Sequence, residues 1–378
     1  MKTGIATIPL DYGKCPKWLF ERMKRLSRAV TLAIVEEFGP DEFLKRLSDP
    51  VWFQSFGCVS GFDWNSSGLT VTTLGALKET LRGIESRVGI FVCGGKGKTS
   101  RKTPEQIQRW GEFLHWSPDK IDKTIYASKM SAKVDNTALQ DGFQLYHHNL
   151  IFTKAGEWSV IQQGMNTVLR RARRYHWLSS TLRLRSGRED YVEEPHLGIV
   201  SDVKVKPLNL TAAESRNNRE VSLGLVREEP KTFLRDLEVI QNKSPKNLTF
   251  MELNNVEFHW HPVAEEKFDL KRLGKTISLA SSGKPESFEK LLSIKGVGPR
   301  TIRALSLVSE LIYGAKPSFE DPARYTFAYG GKDGTPFPVD RKTYDEALEI
   351  LERGIIKSKM PMSEKIQAQR RLGKFKKD

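Results

Sequence analysis

The feature that most constrains this fold is a glycine-rich turn in "FEKLLSIKGVGPRTIRALSLVSELIYG", residues 288–314. On both sides of the turn, apolar residues recur at helical spacing. Gly296 and Gly298 tolerate the backbone angles of a tight turn, and Pro299 suits the first position of a helix. The sequence therefore predicts two helices joined by a short turn.

Such a turn exposes backbone N–H groups at the start of the second helix, where the helix dipole also favours an anion. The pattern resembles the helix-hairpin-helix motif, which holds DNA phosphates without reading sequence. The resemblance implies that six residues of this segment bind DNA: Lys295, Gly296, Val297, Gly298, Arg300 and Thr301. The alternative is a helical hairpin whose glycines serve only the turn.

The overall charge also favours a polyanionic partner. The chain has 61 Lys and Arg against 46 Asp and Glu, a net charge of +15. A large positive excess is typical of proteins that bind nucleic acid. A charge-rich thermophilic surface is the alternative, but it would carry both signs in balance. We therefore expect double-stranded DNA as the partner.

The cellular setting follows from what the sequence lacks. No run of about 18 apolar residues is present, so no membrane partner is expected, and residues 1–5 do not look like a secretory signal. Cys15, Cys58 and Cys93 have neither disulfide nor zinc spacing. We expect a cytoplasmic protein without a cofactor or a metal; the His259–His261 pair has no third ligand nearby.

A second basic segment, "RRARRYHWLSSTLRLRSGR" at residues 170–188, contains no acid. Arginines can hold phosphates and aromatic rings can stack on unpaired bases. Arg170, Arg173 and Arg174 are therefore candidate DNA contacts, and Trp177 a candidate base contact. The alternative is a solvated helix face over residues 169–177, followed by an edge strand over residues 181–185.

The periodicity predicts an α+β protein. A mixed α/β domain, which would hold the catalytic or substrate site, covers residues 1–200. Helices are predicted over residues 16–48 and 104–140, with a packed loop over 51–64. Strands are predicted in "LTVTTL" and "GIFVCG", with a helix between them, and a β-hairpin is predicted over 144–164. Residues 201–230 are predicted to be a linker or long loop. A helical domain with a basic tail follows over 231–378.

Polar residues cluster along the first domain. "CGGKGKTSRKTPE" follows a strand and could cradle a phosphate, with Lys96 or Lys98 holding it or supplying an amine. "YHHN" and "QQGMN" would face each other across the hairpin. His147 is a candidate proton shuttle. The candidates for reading a base are His148, Gln162, Gln163 and Asn166. Some of these residues would only pack.

Downstream, "GGKDGTPFPVDRKTYDEALEIL" resembles the Gly/Pro-rich loop and aspartate of the helix-hairpin-helix DNA glycosylase superfamily. The resemblance makes Asp340 the catalytic carboxylate, which would stabilise the sugar cation as the base leaves. Asp340 also precedes a predicted helix and could simply cap it. The position that matches the Schiff-base lysine of bifunctional members is Arg300, which stays protonated. A lyase step would need another lysine, such as Lys342 or Lys295.

Almost the whole chain resembles a prokaryotic, mostly archaeal, family of unknown function. The shared strings include "SDPVWFQSFGCVSGFDWNSSGLT", "FVCGGKGKTSRKTPE", "RRYHWLS" and "FAYGGKDGTPFPVDR". Some members resemble archaeal glycosylases that act on oxidised or deaminated pyrimidines such as 5-hydroxyuracil. The leading hypothesis is therefore a DNA glycosylase acting on damaged duplex DNA, with possible AP lyase activity. A structure-specific nuclease and a non-catalytic DNA-binding protein are the alternatives.

Overall fold

The N-terminal part of the fold is a layer of helices. The computed structural model describes residues 8–10, 13, 15–62, 66–186, 189–228, 230–242, 267–323 and 341–376. The first helices are α1 (Lys17–Phe38), α2 (Pro40–Ser48), α3 (Pro50–Val59), α4 (Gly68–Leu81) and α5 (Glu85–Val88). The predicted helical stretch over residues 16–48, with its break at Gly39-Pro40, is confirmed.

Two predictions in this layer are wrong. The segment predicted as a packed loop forms α3, where Asp49 Oδ1 accepts bonds from Val51 N (2.9 Å) and Trp52 N (2.8 Å) and Pro50 occupies the first turn. The predicted strand "LTVTTL" lies in α4. Thr70 and Thr73 are buried there, so tertiary packing overrides their β propensity.

The sheet is antiparallel throughout and has the strand order β1-β3-β4-β5-β6. A short pair, β2 with β7, stands apart from it. The strands are β1 (Ile90–Lys96), β2 (Leu139–Gln140), β3 (Gln144–Thr153), β4 (Trp158–Asn166), β5 (Arg171–Leu178), β6 (Gly198–Val200) and β7 (Leu208–Asn209). The predicted β3–β4 hairpin is confirmed, and His148 pairs with Gln162. The predicted strand–helix–strand order of "LTVTTL" and "GIFVCG" is wrong, because its first strand lies in α4 and β1 pairs antiparallel to β3.

The basic segment forms part of this sheet. Residues 171–178 are β5, a strand between β4 and β6, and not a solvated helix face. Residues 181–185, read as an edge strand, lie in α8 (Ser179–Ser186). The strand is buried on both faces of the sheet, because every residue from Ala172 to Leu178 is buried, including Arg173 and Arg174.

The remaining helices are α6 (Thr103–Phe113), α7 (Pro118–Lys133), α9 (Arg216–Arg227), α10 (Pro230–Asn242), α11 (Leu270–Ser282), α12 (Phe288–Ser293), α13 (Pro299–Leu311), α14 (Arg341–Lys357) and α15 (Met362–Lys376). Of these, α6 and α7 lie between β1 and β3 in the chain, and α9 to α15 follow the sheet. The predicted linker over residues 201–230 is wrong in part, because it contains α9, whose Leu225 and Val226 are buried. None of the helices in the described ranges is long and apolar enough to cross a membrane.

Helices cover both faces of the sheet. On one face, Leu150, Val160 and Trp177 belong to a buried cluster that continues into α7, α9 and α10–α13. On the other face, Ile151 and Ile161 join a cluster formed with α1–α4, α14 and α15. The fold is therefore α+β, and the helices after residue 230 share their cores with the sheet.

Candidate nucleic-acid interface

The turn between α12 and α13 has the geometry that its sequence predicts. Gly296 adopts a positive φ of 96°, which side chains of L-residues rarely allow. Gly298 is extended at the N-cap of α13, Pro299 follows in the first turn, and no side chain caps the helix. Two helices joined by a glycine turn are thus found at this position.

Backbone amides are presented at the start of α13. The first intrahelical bond runs from Ile302 N to Gly298 O (3.0 Å). The N–H groups of Arg300 and Thr301 therefore precede the helical ladder. Lys295, Gly296 and Arg300 are exposed, whereas the side chains of Val297 and Thr301 are buried. The turn thus offers amides and cations to solvent, while Val297 anchors it in the core.

An open groove of about 830 Å³ lies against this turn. Three cationic side chains, Arg272, Arg300 and Arg303, line it together with the backbone of the turn and with Gln144 from β3. Asp269 is a carboxylate in the lining, and it caps α11 by accepting a bond from Arg272 N (3.0 Å). The chemistry of the groove is therefore mainly cationic and donor-rich, which suits a phosphate.

The turn is held in place by residues that lie between β1 and β3 in the chain. Lys133 Nζ donates to the carbonyl oxygen of Val297. Gln140 Nε2 donates to Pro299 O (3.0 Å), and Arg303 Nε donates to Gln140 Oε1 (2.7 Å). These bonds fix the direction of α13 relative to the sheet.

The loop after β1 lies at the same end of the sheet as Gln144, since Lys96 pairs with His147 and β3 starts at Gln144. Gly94 is required by packing, because a Cβ there would meet His148 O at 2.2 Å. Residues 97–102 form a 3₁₀ turn. Four cations on this loop are exposed: Lys96, Lys98, Arg101 and Lys102. They extend the positive surface beyond the groove.

Arg173 is buried, and its predicted phosphate contact is corrected. Its side chain is completely shielded and pairs with Asp141 (Nη1–Oδ2 2.9 Å) and, through both terminal nitrogens, with Asp321 (3.1 and 2.9 Å). It also lies over the Phe143 ring at 4.5 Å. Burial lowers the pKa of Arg173, but the two carboxylates and Tyr175 raise it by more. The guanidinium therefore neutralises acids inside the protein.

Arg174 is also internal, so its predicted DNA contact is corrected too. It is 1% exposed, lies over Phe53 at 4.6 Å, and donates to Gln54 Oε1 (3.0 Å) and His176 Nε2 (2.8 Å). Burial lowers its pKa to about 9. Arg174 therefore packs against α3 and is not part of the protein surface.

A buried hydrogen-bond network occupies three predicted base-reading residues. His148 contacts Ser128 Oγ (2.8 Å) and Gln162 Oε1 (2.7 Å), and Gln162 Nε2 donates to Asp135 Oδ2. Trp177 Nε1 donates to the same oxygen (2.9 Å). Because these groups are buried and already bonded, His148, Gln162 and Trp177 maintain the core, which corrects their predicted role.

The opposite face of the sheet has buried polar atoms without partners. His147 is 2% exposed, and neither ring nitrogen has a hydrogen bond within the described structure. Burial, together with the nearby His148, lowers its pKa to about 3, although the Asn149 side chain opposes this shift. Its cross-strand neighbour Gln163 donates to Ser67 O (3.0 Å) and Tyr146 Oη (2.5 Å), but its Oε1 accepts nothing from the described residues. His147 is therefore a neutral imidazole in the folded protein.

The predicted Asn166 is the last residue of β4, and Arg170 lies on the turn that follows it. Asn166 Oδ1 accepts a bond from Leu169 N (2.9 Å), so this amide shapes the turn. Arg170 is exposed and adopts a positive φ of 53°. Arg170 therefore remains in the cationic surface at this end of the sheet.

Asp340, the predicted catalytic carboxylate, and the His259–His261 pair lie outside the described residues. The helix predicted to follow Asp340 begins at Arg341. Within the described ranges, no three His, Cys, Asp or Glu side chains are grouped so that they could hold a metal ion.

Several residues of this interface have no clear signal in the sequence. Arg272 and Gln144 line the groove from elements far along the chain from the turn. Lys133 and Gln140 would not be linked to residues 297–299 without the fold. The unusual aliphatic pair Val168-Leu169 in a polar turn is a signal that could have been noticed.

Comparison with known proteins identifies the family. No curated protein and no solved structure matches the chain. Residues 4–339 match a family described as a protein of unknown function, DUF763. Because the match covers most of the sequence, the chain belongs to the DUF763 family.

Proposed function

We propose that this protein is a DNA repair enzyme that binds duplex DNA and removes a damaged base. The observation that carries the proposal is the uncapped start of α13, which presents backbone amides beside Arg272, Arg300 and Arg303 in an open groove. Amides at a helix N-terminus and arginines both bind phosphate oxygens. Contacts to phosphate oxygens carry no sequence information, so binding through them would be independent of sequence.

The position of the groove supports a duplex as the ligand. The exposed cations Lys96, Lys98 and Arg170 lie at the end of the sheet to which Gln144 belongs. A duplex held at the α13 turn could therefore make further phosphate contacts along this end. The net charge of +15 agrees with a polyanionic ligand.

The proposed reaction is hydrolysis of the N-glycosidic bond of an oxidised or deaminated pyrimidine. The base would have to be flipped out of the stack before reaction. Asp340 is the proposed carboxylate that stabilises the sugar cation, on the superfamily resemblance. His147 and Gln163 retain polar atoms without partners within the described structure, and these could bind a base edge once exposed. Strand scission would require a lysine amine, for which Lys98 is a candidate.

The test is a panel of duplexes that each carry one lesion: uracil, 5-hydroxyuracil or an alkylated base. Wild-type protein should release the base from at least one duplex, and Asp340→Asn should bind that duplex normally without turnover. Absence of a released base or abasic site on every duplex would contradict the glycosylase. Cleavage of undamaged flaps that EDTA abolishes would indicate a nuclease instead. Binding without any product would indicate a non-catalytic protein.

A further inference from the structure

The turn between β4 and β5 exposes two aliphatic side chains. Val168 is 89% exposed and Leu169 is 43% exposed. Tight turns normally use Gly, Asn, Asp or Ser, which suit the backbone and water. Val168 therefore gains nothing from the fold at this position, and its presence requires another reason.

This turn is firmly held. Asn166 Oδ1 accepts from Leu169 N, and Leu10 N donates to Arg170 O (3.2 Å). Pro9 forms a β-bridge with Arg171, which begins β5. The aliphatic side chains thus stand on a braced support, so that little backbone ordering is needed when they contact a partner.

The turn extends from the end of the sheet that borders the groove. Asn166 pairs with Arg171 as the last pair of β4 and β5, and the adjacent Met165 pairs with Gln144. Gln144 lines the groove together with Gly298 and Arg300. Val168 is therefore placed beyond the groove, next to the exposed Arg170. A cationic groove with a neighbouring apolar tip matches DNA, whose charged backbone surrounds apolar base faces.

We propose that Val168, supported by Leu169, is a wedge that enters the base stack of the duplex bound at the α12–α13 turn. The inference rests on the proposed function, since it needs DNA at that turn. Aliphatic side chains inserted at a base step unstack it. An unstacked nucleotide leaves a gap that Val168 would fill, which stabilises the extruded state.

The test uses a duplex that carries 2-aminopurine opposite a tetrahydrofuran abasic analogue. The fluorescence of 2-aminopurine increases when the base leaves the stack. Wild-type protein should raise it, and Val168→Ser should reduce the unstacked population about tenfold, from the lost burial of the aliphatic group. Val168→Leu should retain the effect. Affinity, measured by anisotropy, should change little because the phosphate contacts are untouched.

The matched control is Ile356→Ser. Ile356 is also β-branched and 51% exposed, but it lies on α14, which joins the core on the opposite face of the sheet from α12 and α13. This variant should behave as wild type. Thermal unfolding of Val168→Ser should match wild type, because the side chain is exposed in the fold.

The outcomes separate the two proposals. If wild-type protein fails to bind the duplex, the proposed function and the wedge are both wrong. If it binds without a fluorescence change, or if Val168→Ser gives the wild-type change, the wedge is wrong while DNA binding stands. If Ile356→Ser loses the signal as Val168→Ser does, the effect is not local and the wedge is also rejected.

Discussion

The side-chain amine of Lys133 on α7 donates a hydrogen bond to the carbonyl oxygen of Val297, between the two glycines of the α12–α13 turn. This bond connects a helix that packs on the sheet with the proposed phosphate site. Burial lowers the pKa of Lys133, yet the amine still has the carbonyl as a partner. The turn therefore depends on residues outside its own hairpin.

Replacing Lys133 by Met should weaken both the fold and the proposed DNA contact. The carbonyl of Val297 would lose a charged donor, which costs about 1–2 kcal/mol of unfolding free energy, and α13 would be less well oriented. Urea unfolding and DNA anisotropy measure the two effects. Lys129→Met, on the exposed side of α7, is the control. Equal behaviour of the two variants would show that the bond does not position the turn.

The two glycines should respond differently to Ala. Gly296 has a positive φ, so Gly296→Ala should lower stability by about 1–2 kcal/mol. Gly298 is extended, and a Cβ there would meet only Gly296 O at 3.9 Å. Gly298→Ala should therefore fold normally but bind DNA more weakly, because its methyl group would keep phosphate from the backbone. Unchanged DNA affinity in Gly298→Ala would argue against phosphate at the turn.

Local patterns predicted the elements whose signals are short-range. The break at Gly39-Pro40, the β3–β4 hairpin and the glycine turn each depend on residues close in sequence. Strand β5 was misread because its charged residues are buried together with the rest of the strand, which no local pattern indicates. Asp141 and Asp321 are the carboxylates that pair with the buried Arg173. They lie 32 and 148 residues away from it in the sequence. Without that partner information, a buried arginine cannot be distinguished from a surface arginine.

The candidate site was also predicted only where its signals are local in the sequence. Residues of the turn itself were found, because glycine and proline report backbone geometry directly. The candidate residues on β3, β4 and β5 lie on two different faces of the sheet, because alternate residues of a strand point to opposite sides. His148 and Gln162 lie on one face and His147 and Gln163 on the other. Sequence places these residues opposite each other but does not show which face contains their partners.

Arg173 should be much more important for stability than its neighbour Arg171. Arg173→Met would leave Asp141 and Asp321 buried without a countercharge, which costs about 3–5 kcal/mol. Arg173→Lys should not restore this, since it cannot contact both Asp321 oxygens as the guanidinium does. Arg171 is 35% exposed in its pair with Asp202 (3.0 Å), whereas Arg173 is fully shielded between two carboxylates, so Arg171→Met should cost less than Arg173→Met. Denaturant unfolding of the three variants checks this order.

His147 should make the fold sensitive to acid. Its pKa is about 3 in the folded protein against an ordinary value of 6.5. Between these values the unfolded chain binds a proton that the native ring does not. Stability contributed by the neutral ring is therefore present above about pH 6.5 and falls by roughly 1.4 kcal/mol per pH unit below it, down to about pH 3.

His147→Phe tests this linkage. Between about pH 4 and 6, the unfolding free energy of the variant should depend less steeply on pH than that of the wild type. The difference in slope should be the contribution of one bound proton. Stability at pH 7 should change little, because the ring nitrogens have no partners within the described residues. His115→Asn, which removes a histidine at an exposed position, is the matched control. An unaltered slope in His147→Phe would mean that the imidazole is hydrated in solution.

The salt dependence of DNA binding should identify the phosphate contacts at the groove. Binding to duplex DNA releases about 0.9 counterion per neutralised phosphate, so log K falls linearly with log of salt concentration. Arg300→Ala and Arg272→Ala should each reduce this slope by about 1 and weaken binding equally on all sequences. Arg353→Ala, on the opposite helical layer and 48% exposed, lowers the net charge by the same amount and should leave the slope unchanged. If Arg353→Ala reduces the slope as much as Arg300→Ala, then DNA responds only to the overall charge of the protein, and the groove is not its binding site.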